Sequence, residues 1–518
     1  MSDQSKKVLN ALLKGAAFSI VGMFFSKAMG YVYRIIVGRY IGPEAYGQLA
    51  IGMMILGFGN AFAGGALDSA LMRYIPEFRE KGNKAKVKGI SLSVLQISLL
   101  LSIVTGVGIF ISADYLATSF FNSSNPGTLS QIIKIFGLLT IFLSPTARIL
   151  SITESFNTTK YDVLTSSIFK NLVKISLTVI AIFALNSGIM GAVWSWVIAT
   201  VLSTFLAFYL LEKKLGPVLT ANVEAKYMRK DVIIYAYPLM FSSILGTVQG
   251  WSDTAILGYF MSDASVGLYN AAYPTAMLIM IPAQALGKLA TSTLSEINHK
   301  DEDSSSALKT LTHWSFATVF PLFLIMALFP RQSIQLIFGK QYTTAATALA
   351  ILAFSNLVSA MVGQVNSFLK SRDHTKIFLY NTAFVVILNI LLNIYLIPRH
   401  GINGAAIATA ISGIVGELLL FLETYRYEKI ISLHKNMTKT LISGTIAITT
   451  TYLGLELLFT TTPYLALIPA AAIFITLHTL IFLKIGGLTE YDKEIIITIS
   501  DKAGLDEETR RILEKLSN

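Results

Sequence analysis

Apolar residues run along this chain in blocks of about twenty, the length a helix needs to cross the hydrocarbon core of a bilayer. Short polar stretches separate them. Such windows fall at 13–38, 45–72, 89–113, 129–153, 163–185, 188–211, 233–258, 267–290, 310–330, 343–368, 376–398, 402–424, 440–460 and 463–485. They predict an all-α polytopic membrane protein with about fourteen transmembrane helices. The tail, 487–518, is polar, and Gly504 to Leu516 reads as a short amphipathic helix with Arg510, Arg511 and Lys515 toward its end. About thirty residues cannot bury a catalytic core, so a cytoplasmic cap or interfacial helix is expected there.

Composition agrees with this pattern. Hydrophobic residues make up 53% and charged residues 14%, and mean hydropathy is +0.62, which sets the chain apart from soluble domains. A net charge of +11 could suggest nucleic acid, but here it sits on short loops. With the amino terminus inside, alternate loops carry Arg73, Arg79, Lys81, Lys84, Lys86 and Lys88; Lys160; Lys213, Lys214, Lys226, Arg229 and Lys230; Lys300 and Lys309; Lys370, Arg372 and Lys376; and Arg426, Lys429, Lys435 and Lys439. The opposite loops carry only Arg39, Arg331, Lys340 and Arg399. By the positive-inside rule both termini are cytoplasmic in a plasma or inner membrane, and nucleic acid is not an expected partner. The first window is longer than a signal peptide and lacks a small-residue cleavage site, so it is expected to be retained. With no cysteine, disulfides, thiolate metal sites and a cysteine nucleophile are excluded, and the six histidines lack metal-ligand spacing. Asn122-Ser-Ser124 is a sequon on an external loop, whereas the triplets at Asn157 and Asn436 fall inside.

Part of the pattern is written twice. Gly38 to Gly47 returns in outline as Gly258 to Gly267, Gly188-Ile-Met-Gly-Ala192 as Gly401-Ile-Asn-Gly-Ala405, and Thr158-Thr159-Lys160 as His374-Thr375-Lys376. The offsets agree at about 215 residues, the signature of a duplicated half. Segments 1–6 and 7–12 then form two repeats, each with an even number of crossings, so they are parallel rather than inverted. The expected organisation is a first lobe at 1–220, a second at 221–432, two extra helices at 433–486 and the tail at 487–518. The extra pair either adds lipid-facing packing or forms a groove for a lipid tail.

An ionisable group inside a spanning segment costs about 2.5–3.5 kcal/mol on insertion scales, so it faces a cavity or a partner. Lys27 and Arg34 lie near one face of segment 1, Arg148 lies in segment 4, and Lys170 and Lys174 are one turn apart in segment 5. These cations suit a phosphate or pyrophosphate. Alternatively, Arg148, Lys170 and Lys174 sit near helix ends and snorkel to lipid phosphates. Acids are sparser: Asp68, Asp253, Glu417 and Glu456. Asp253, with Asn389, Asn393 and Thr409, suits Na⁺ or H⁺ coupling, since an isolated acid needs an ion or a proton. Otherwise the two asparagines glue helices by hydrogen bonding. Asp68 is expected to pair with Arg73 or a lysine, while Glu456 and His478 read as structural. Glycines 57, 59, 64 and 65, with Pro145, Pro238, Pro274 and Pro282, permit close helix contact and bends.

Three stretches carry a family resemblance. Ser26-Lys-Ala-Met-Gly-Tyr-Val-Tyr-Arg34, continuing to Gly42 and Gly47, resembles the opening of the polysaccharide and lipid-linked oligosaccharide flippases of the multidrug/oligosaccharidyl-lipid/polysaccharide exporter superfamily. Asp253-Thr-Ala-Ile-Leu-Gly-Tyr-Phe260 with Val266-Gly-Leu-Tyr-Asn-Ala-Ala-Tyr273 is similar to the start of their second half. Asn389 to Pro398, then Gly401 to Thr409, is similar to their helix 11–12 junction. The resemblance implies two lobes around a V-shaped cavity and alternating access. It also implies a polyprenyl- or dolichyl-(pyro)phosphate-linked glycan as substrate, basic residues such as Lys27 and Arg34 contacting its anionic part, and ion coupling at Asp253, Asn389, Asn393 and Thr409. Segment 11 has amides where relatives have a carboxylate. Gly65-Ala-Leu-Asp68 before Arg73-Tyr-Ile-Pro76 also resembles peptidoglycan-precursor flippases.

The expected function is therefore a non-enzymatic flippase moving a lipid-linked oligosaccharide from the cytoplasmic to the outer leaflet. It would act as a monomer, without a cofactor beyond a coupling Na⁺ or H⁺, and alongside glycan-assembly enzymes. The competing readings are a cation-coupled multidrug exporter, a peptidoglycan-precursor flippase and, further off, a membrane glycan polymerase. A cation-lined first lobe would repel cationic drugs. Short external loops offer little acid/base or metal chemistry for a polymerase.

Overall fold

The computed structural model describes residues 3–156, 158–214, 216–287, 301–362, 365, 368–369, 375–431, 434–459 and 463–487. The tail helix at 504–516, the triplet at Asn157, and Lys300, Lys370, Arg372 and His374 lie outside the described residues. The architecture is helical throughout this range. The first half contains α1 (Asp3–Ile41), α2 (Pro43–Phe62), α3 (Leu67–Glu80), α4 (Lys84–Tyr115), α5 (Pro126–Ser155), α6 (Lys160–Ala184) and α7 (Gly188–Lys214). There follow α8 (Arg229–Phe260), α9 (Asp263–Gly287), α10 (Asp301–Leu328), α11 (Pro330–Phe338), α12 (Ala346–Val362), α13 (Thr375–Glu428), α14 (Met437–Leu458) and α15 (Leu467–Lys484).

Among the described residues 11 helices are long and apolar enough to cross a membrane, or 12 if the bent pair α2–α3 is one span. One of the 11, Ile377–Glu428, spans 52 residues, the length of two crossings. The expected single segment at 45–72 is instead α2 and α3, bent by 43°. The reason is compositional: α3 buries Leu67, Ala70, Leu71, Ile75 and Phe78 on one face and carries Asp68, Arg73 and Glu77 elsewhere. Such a helix packs its apolar face on the protein and turns its polar face away from it.

The repeated glycine motifs do the same mechanical work in both copies. Gly188, between α6 and α7, has φ 54°, and Gly401, inside α13, has φ 55° and breaks that helix. Only glycine takes this left-handed geometry without strain, so each motif turns one crossing into the next. The second glycine of each motif admits the preceding helix: a Cβ on Gly191 would meet Ala181, and one on Gly404 would meet the carbonyl of Leu396. The other repeated pair meets itself. A Cβ on Gly47 would fall on the carbonyl oxygen of Asp263, and one on Gly267 would fall on that of Pro43. Each glycine thus faces the carbonyl four residues before the other, the reciprocity expected of a local two-fold axis.

Packing divides the chain into two compact units, Met1–Asn270 and Ala271–Asn518. The first has its core where α3, α4, α5, α7 and α8 meet, around Leu71, Ile75, Ile90, Ile149, Leu211 and Val232. In the second, Phe316 and Phe320 of α10 pack on Ile279 of α9 and on Ala353 and Leu357 of α12. The extra helices α14 and α15 belong to this unit. Phe474, Ala447 and Ile448 form a small apolar cluster with Phe329, and Gly444 lets α14 close on Phe320.

Candidate functional site

In the first unit, α6 is an α-helix interrupted by π-helical turns at Val163–Phe169 and Ile180–Ala184. The segment between them, Lys170–Val179, carries both predicted lysines. Such turns insert a residue and re-aim the side chains beyond them, and they recur at functional sites. The α6 segment packs on α1, where Asn171 Nδ2 donates to Ser26 Oγ at 3.3 Å. Lys27 and Lys170, the neighbours of those two residues, are thereby carried on adjoining helices.

Lys174 is only 6% exposed. Its Nζ lies 4.5 Å from the ring centroid of Tyr33 and 4.6 Å from that of Trp196, a two-walled aromatic box. The box is itself held in place. Tyr33 OH donates to the Ala192 carbonyl at 3.2 Å, and Trp196 packs edge-on to Tyr33 and Phe136 at 5.6 Å. A desolvated cation–π contact is worth roughly 2 kcal/mol, less than the cost of burying an ammonium. The lysine is therefore held in position but keeps an unmet demand for an anion. Lys170 and Arg34 lie close enough for their charges to repel it. Asp162 acts on Lys170, and no carboxylate pairs with Lys174 or Arg34 among the described residues. The snorkelling alternative does not fit Lys174, which points into protein. Lys27 is exposed and Lys170 half-buried.

Arg148 stands apart from this cluster. It is 1% exposed, its Nε lies 3.3 Å from Asp68 Oδ1, and its Nη2 donates to the Gly64 carbonyl. The bend between α2 and α3 frees carbonyls that a continuous helix would satisfy. Arg148 adds a second bond to the Gly64 carbonyl, which also accepts from Leu67 N at 3.0 Å, and Ser144 Oγ takes that of Ala63 at 2.9 Å. Asp68 therefore pairs with Arg148, not with Arg73 or a lysine as expected. Arg73 lies instead over Tyr235, 4.7 Å from its centroid.

A polar chain runs from the cations toward Asp253. Arg34 Nη1 donates to Tyr46 OH at 3.3 Å, and Tyr46 OH donates to the Asn270 carbonyl at 3.2 Å. Asn270 Nδ2 reaches Thr254 Oγ1 at 3.1 Å, while Tyr269 OH donates to the carboxylate of Asp253, which is 7% exposed. In the second unit the predicted amides do assemble. Asn393 Nδ2 donates to Asn389 Oδ1 at 3.0 Å, and Asn389 Nδ2 lies 3.3 Å from Thr409 Oγ1 and 3.4 Å from Ser412 Oγ. Asp253 belongs to the first unit and the amides to the second. Trp196 and Ser412 carry no sequence signal of a site, while Tyr46, Tyr269 and Asn270 lie inside the repeated and family-like stretches with no role assigned to them. Tyr33 lies inside the quoted stretch before Arg34, whereas Trp196 in an apolar window reads as an ordinary membrane aromatic.

Comparison with known proteins adds three findings. The family described as "Polysaccharide biosynthesis protein" matches residues 12–294, and the MatE family matches residues 238–395. The uncharacterized membrane protein MJ1068 of Methanocaldococcus jannaschii is 24% identical over 413 residues, covering 77% of this chain and 80% of that one. The "probable low-salt glycan biosynthesis flippase Agl15" of Haloferax volcanii is 29% identical over 192 residues, 37% of this chain and 41% of that one. Among solved structures, the lipid II flippase MurJ in an inward closed conformation superposes with a TM-score of 0.74 at 17% identity, covering 90% of this chain and 98% of that one. That likeness concerns the fold.

Proposed function

The chain belongs to the polysaccharide biosynthesis protein family, and from that premise we propose that it is a flippase for a lipid-linked glycan. It is a multi-pass membrane transporter and not an enzyme. Its substrate in this reading is a polyprenyl- or dolichyl-(pyro)phosphate-linked oligosaccharide, carried from the cytoplasmic to the outer leaflet by alternating access. The observation that carries the reading is the buried Lys174 ammonium, boxed by Tyr33 and Trp196 and crowded by Lys170 and Arg34. A (pyro)phosphate brings the negative charge this cluster lacks. Arg34 offers a forked donor and the lysines point charges. Arg148 is left out of this role because Asp68 and Gly64 already engage it. We assign coupling chemistry, Na⁺ or H⁺, to Asp253 and, separately, to Asn389, Asn393 and Thr409. Glycan-assembly enzymes are the partners that would supply the substrate, and one copy of the chain suffices.

Reconstituted protein is expected to move a labelled lipid-linked oligosaccharide across liposomes, and Lys174→Gln with Arg34→Gln to abolish that movement. Undiminished translocation by the folded double variant would remove the cationic site. One observation favours a second reading, a cation-coupled multidrug exporter: the MatE match spans Asp253, Asn389 and Asn393. Ion-driven dye efflux without glycolipid movement would put that reading first.

A further inference from the structure

A second cationic site lies at the basic end of the first unit, away from Lys174. Here the stretch 216–228, which leads from α7 to α8, is pinned along α4. Lys226 N donates to the Ala85 carbonyl at 3.0 Å and Met228 N to Ser93 Oγ at 3.0 Å. Gly89 admits this approach, since a Cβ there would fall on the Lys226 carbonyl. Between this pinned stretch, the α3–α4 turn and the end of α5 there is a cavity of about 540 Å³, within the range of small-ligand sites.

Its chemistry appears once the basic residues of α3 and α4 are sorted by partner. Lys81 pairs with Glu77 at 2.6 Å, and Lys86 sits 5.0 Å from the Phe78 centroid. Lys88 Nζ donates to the carbonyls of Ala221 and Val223 at 2.7 and 3.3 Å. With Arg73 over the Tyr235 ring, Arg79 and Lys84 are left. Both line the cavity, and neither pairs with a carboxylate among the described residues. Arg79 uses one guanidinium nitrogen on the Phe156 carbonyl at 3.4 Å and stacks 5.1 Å from that ring, which leaves further donors. Glu212 does not offset them, because its carboxylate accepts from the amides of Leu219 and Thr220 and from the Thr220 hydroxyl. The other walls are apolar and amide: Val218, Phe156, Asn83 and Asn222.

We propose that this cavity binds a phosphate ester bearing an apolar group, with the phosphate on Arg79 and Lys84 and the apolar part against Phe156 and Val218. Either an anionic phospholipid of the adjacent leaflet or a soluble nucleotide has that chemistry. The site does not depend on the transport reading above. The test is thermal unfolding of the detergent-solubilised full chain, titrated separately with dioctanoylphosphatidylglycerol, dioctanoylphosphatidylcholine, ADP and inorganic phosphate. Stabilisation by phosphatidylglycerol alone would identify a lipid headgroup, and stabilisation by ADP a soluble phosphate ester. In either case Arg79→Gln with Lys84→Gln is expected to weaken the midpoint at least about tenfold. Asn222→Trp, which fills the mouth and keeps both charges, is expected to weaken it similarly and decides the matter if the double variant does not fold. Equal stabilisation by the two phospholipids with none from ADP or phosphate overturns the proposal, as does an unchanged response in a folded variant.

Discussion

On α6, ahead of the turn at Gly188, Lys170 and Lys174 lie one turn apart. On α13, ahead of the matching turn at Gly401, Asn389 and Asn393 are spaced in the same way. The two pairs behave differently. Asn393 donates to Asn389, and Asn389 goes on to Thr409 and Ser412, so the second pair is stitched to its surroundings by neutral hydrogen bonds. Like charges one turn apart repel; Lys174 of the first pair is held by an aromatic box, and π-helical turns flank both lysines. The duplication preserved the turn, while the polar pairs ahead of it, 18 and 14 residues before Gly188 but 12 and 8 before Gly401, differ in both place and chemistry. One copy presents charge that a ligand must complete, and the other presents dipoles that largely complete themselves.

The strongest way to break that comparison is to remove the charge from the first copy only. Hydrogen bonds to charged groups are worth about 1.5–3 kcal/mol each. Lys174→Gln with Arg34→Gln is therefore expected to cut glycolipid translocation by at least about a hundredfold, measured in liposomes. Asn389→Ala with Asn393→Ala is expected to alter the dependence on Na⁺ or H⁺ while leaving glycolipid affinity near wild type. Equal losses in both would erase the contrast.

A second comparison sets Lys174 against Arg148, two buried cations on neighbouring helices. Removing one partner of a buried ion pair costs about 3–5 kcal/mol, whereas replacing both by apolar groups is often close to neutral. Arg148→Ala is expected to destabilise the protein toward the lower end of that range in a melting assay, because Asp68 keeps 32% exposure, and Arg148→Met with Asp68→Leu to recover most of it. Lys174→Met should leave the melting point near wild type, or raise it, because the ammonium has no carboxylate to orphan.

Smaller effects sharpen the picture. Trp196→Leu keeps the position apolar but removes one aromatic wall of the box, and about tenfold weaker glycolipid binding is expected from a loss near 1–2 kcal/mol. Gly188→Ala and Gly401→Ala should cost at least about 1 kcal/mol each and nearly the same amount, since both force a Cβ onto a positive-φ residue. Clearly unequal penalties would mean that the two turns are not mechanical equivalents.

The helical architecture and the duplicated turns were legible in the sequence because hydrophobic run length and glycine spacing are local signals. The break after Phe62 was less so. An apolar window continued through Gly64 and Gly65, and only the amphipathic spacing of Leu67 to Phe78 showed where lipid gives way to protein. Candidate site residues were readable as misplaced charges, but their partners were not. Arg148 and Lys174 look alike in sequence, and only packing separates a guanidinium that serves a helix bend from an ammonium that waits for an anion. Trp196 lies on the helix after Lys174, across the Gly188 turn. Nothing local marks that pairing.

The central claim is that the Lys174 cluster recognises the phosphate of a lipid carrier. The most direct measurement compares binding of a polyprenyl phosphate with that of the uncharged polyprenol, in wild type and in Lys174→Gln. Wild type is expected to prefer the phosphate by at least about tenfold, and the variant to lose most of that preference while binding the polyprenol unchanged. An undiminished preference for the phosphate in the folded variant would contradict the account.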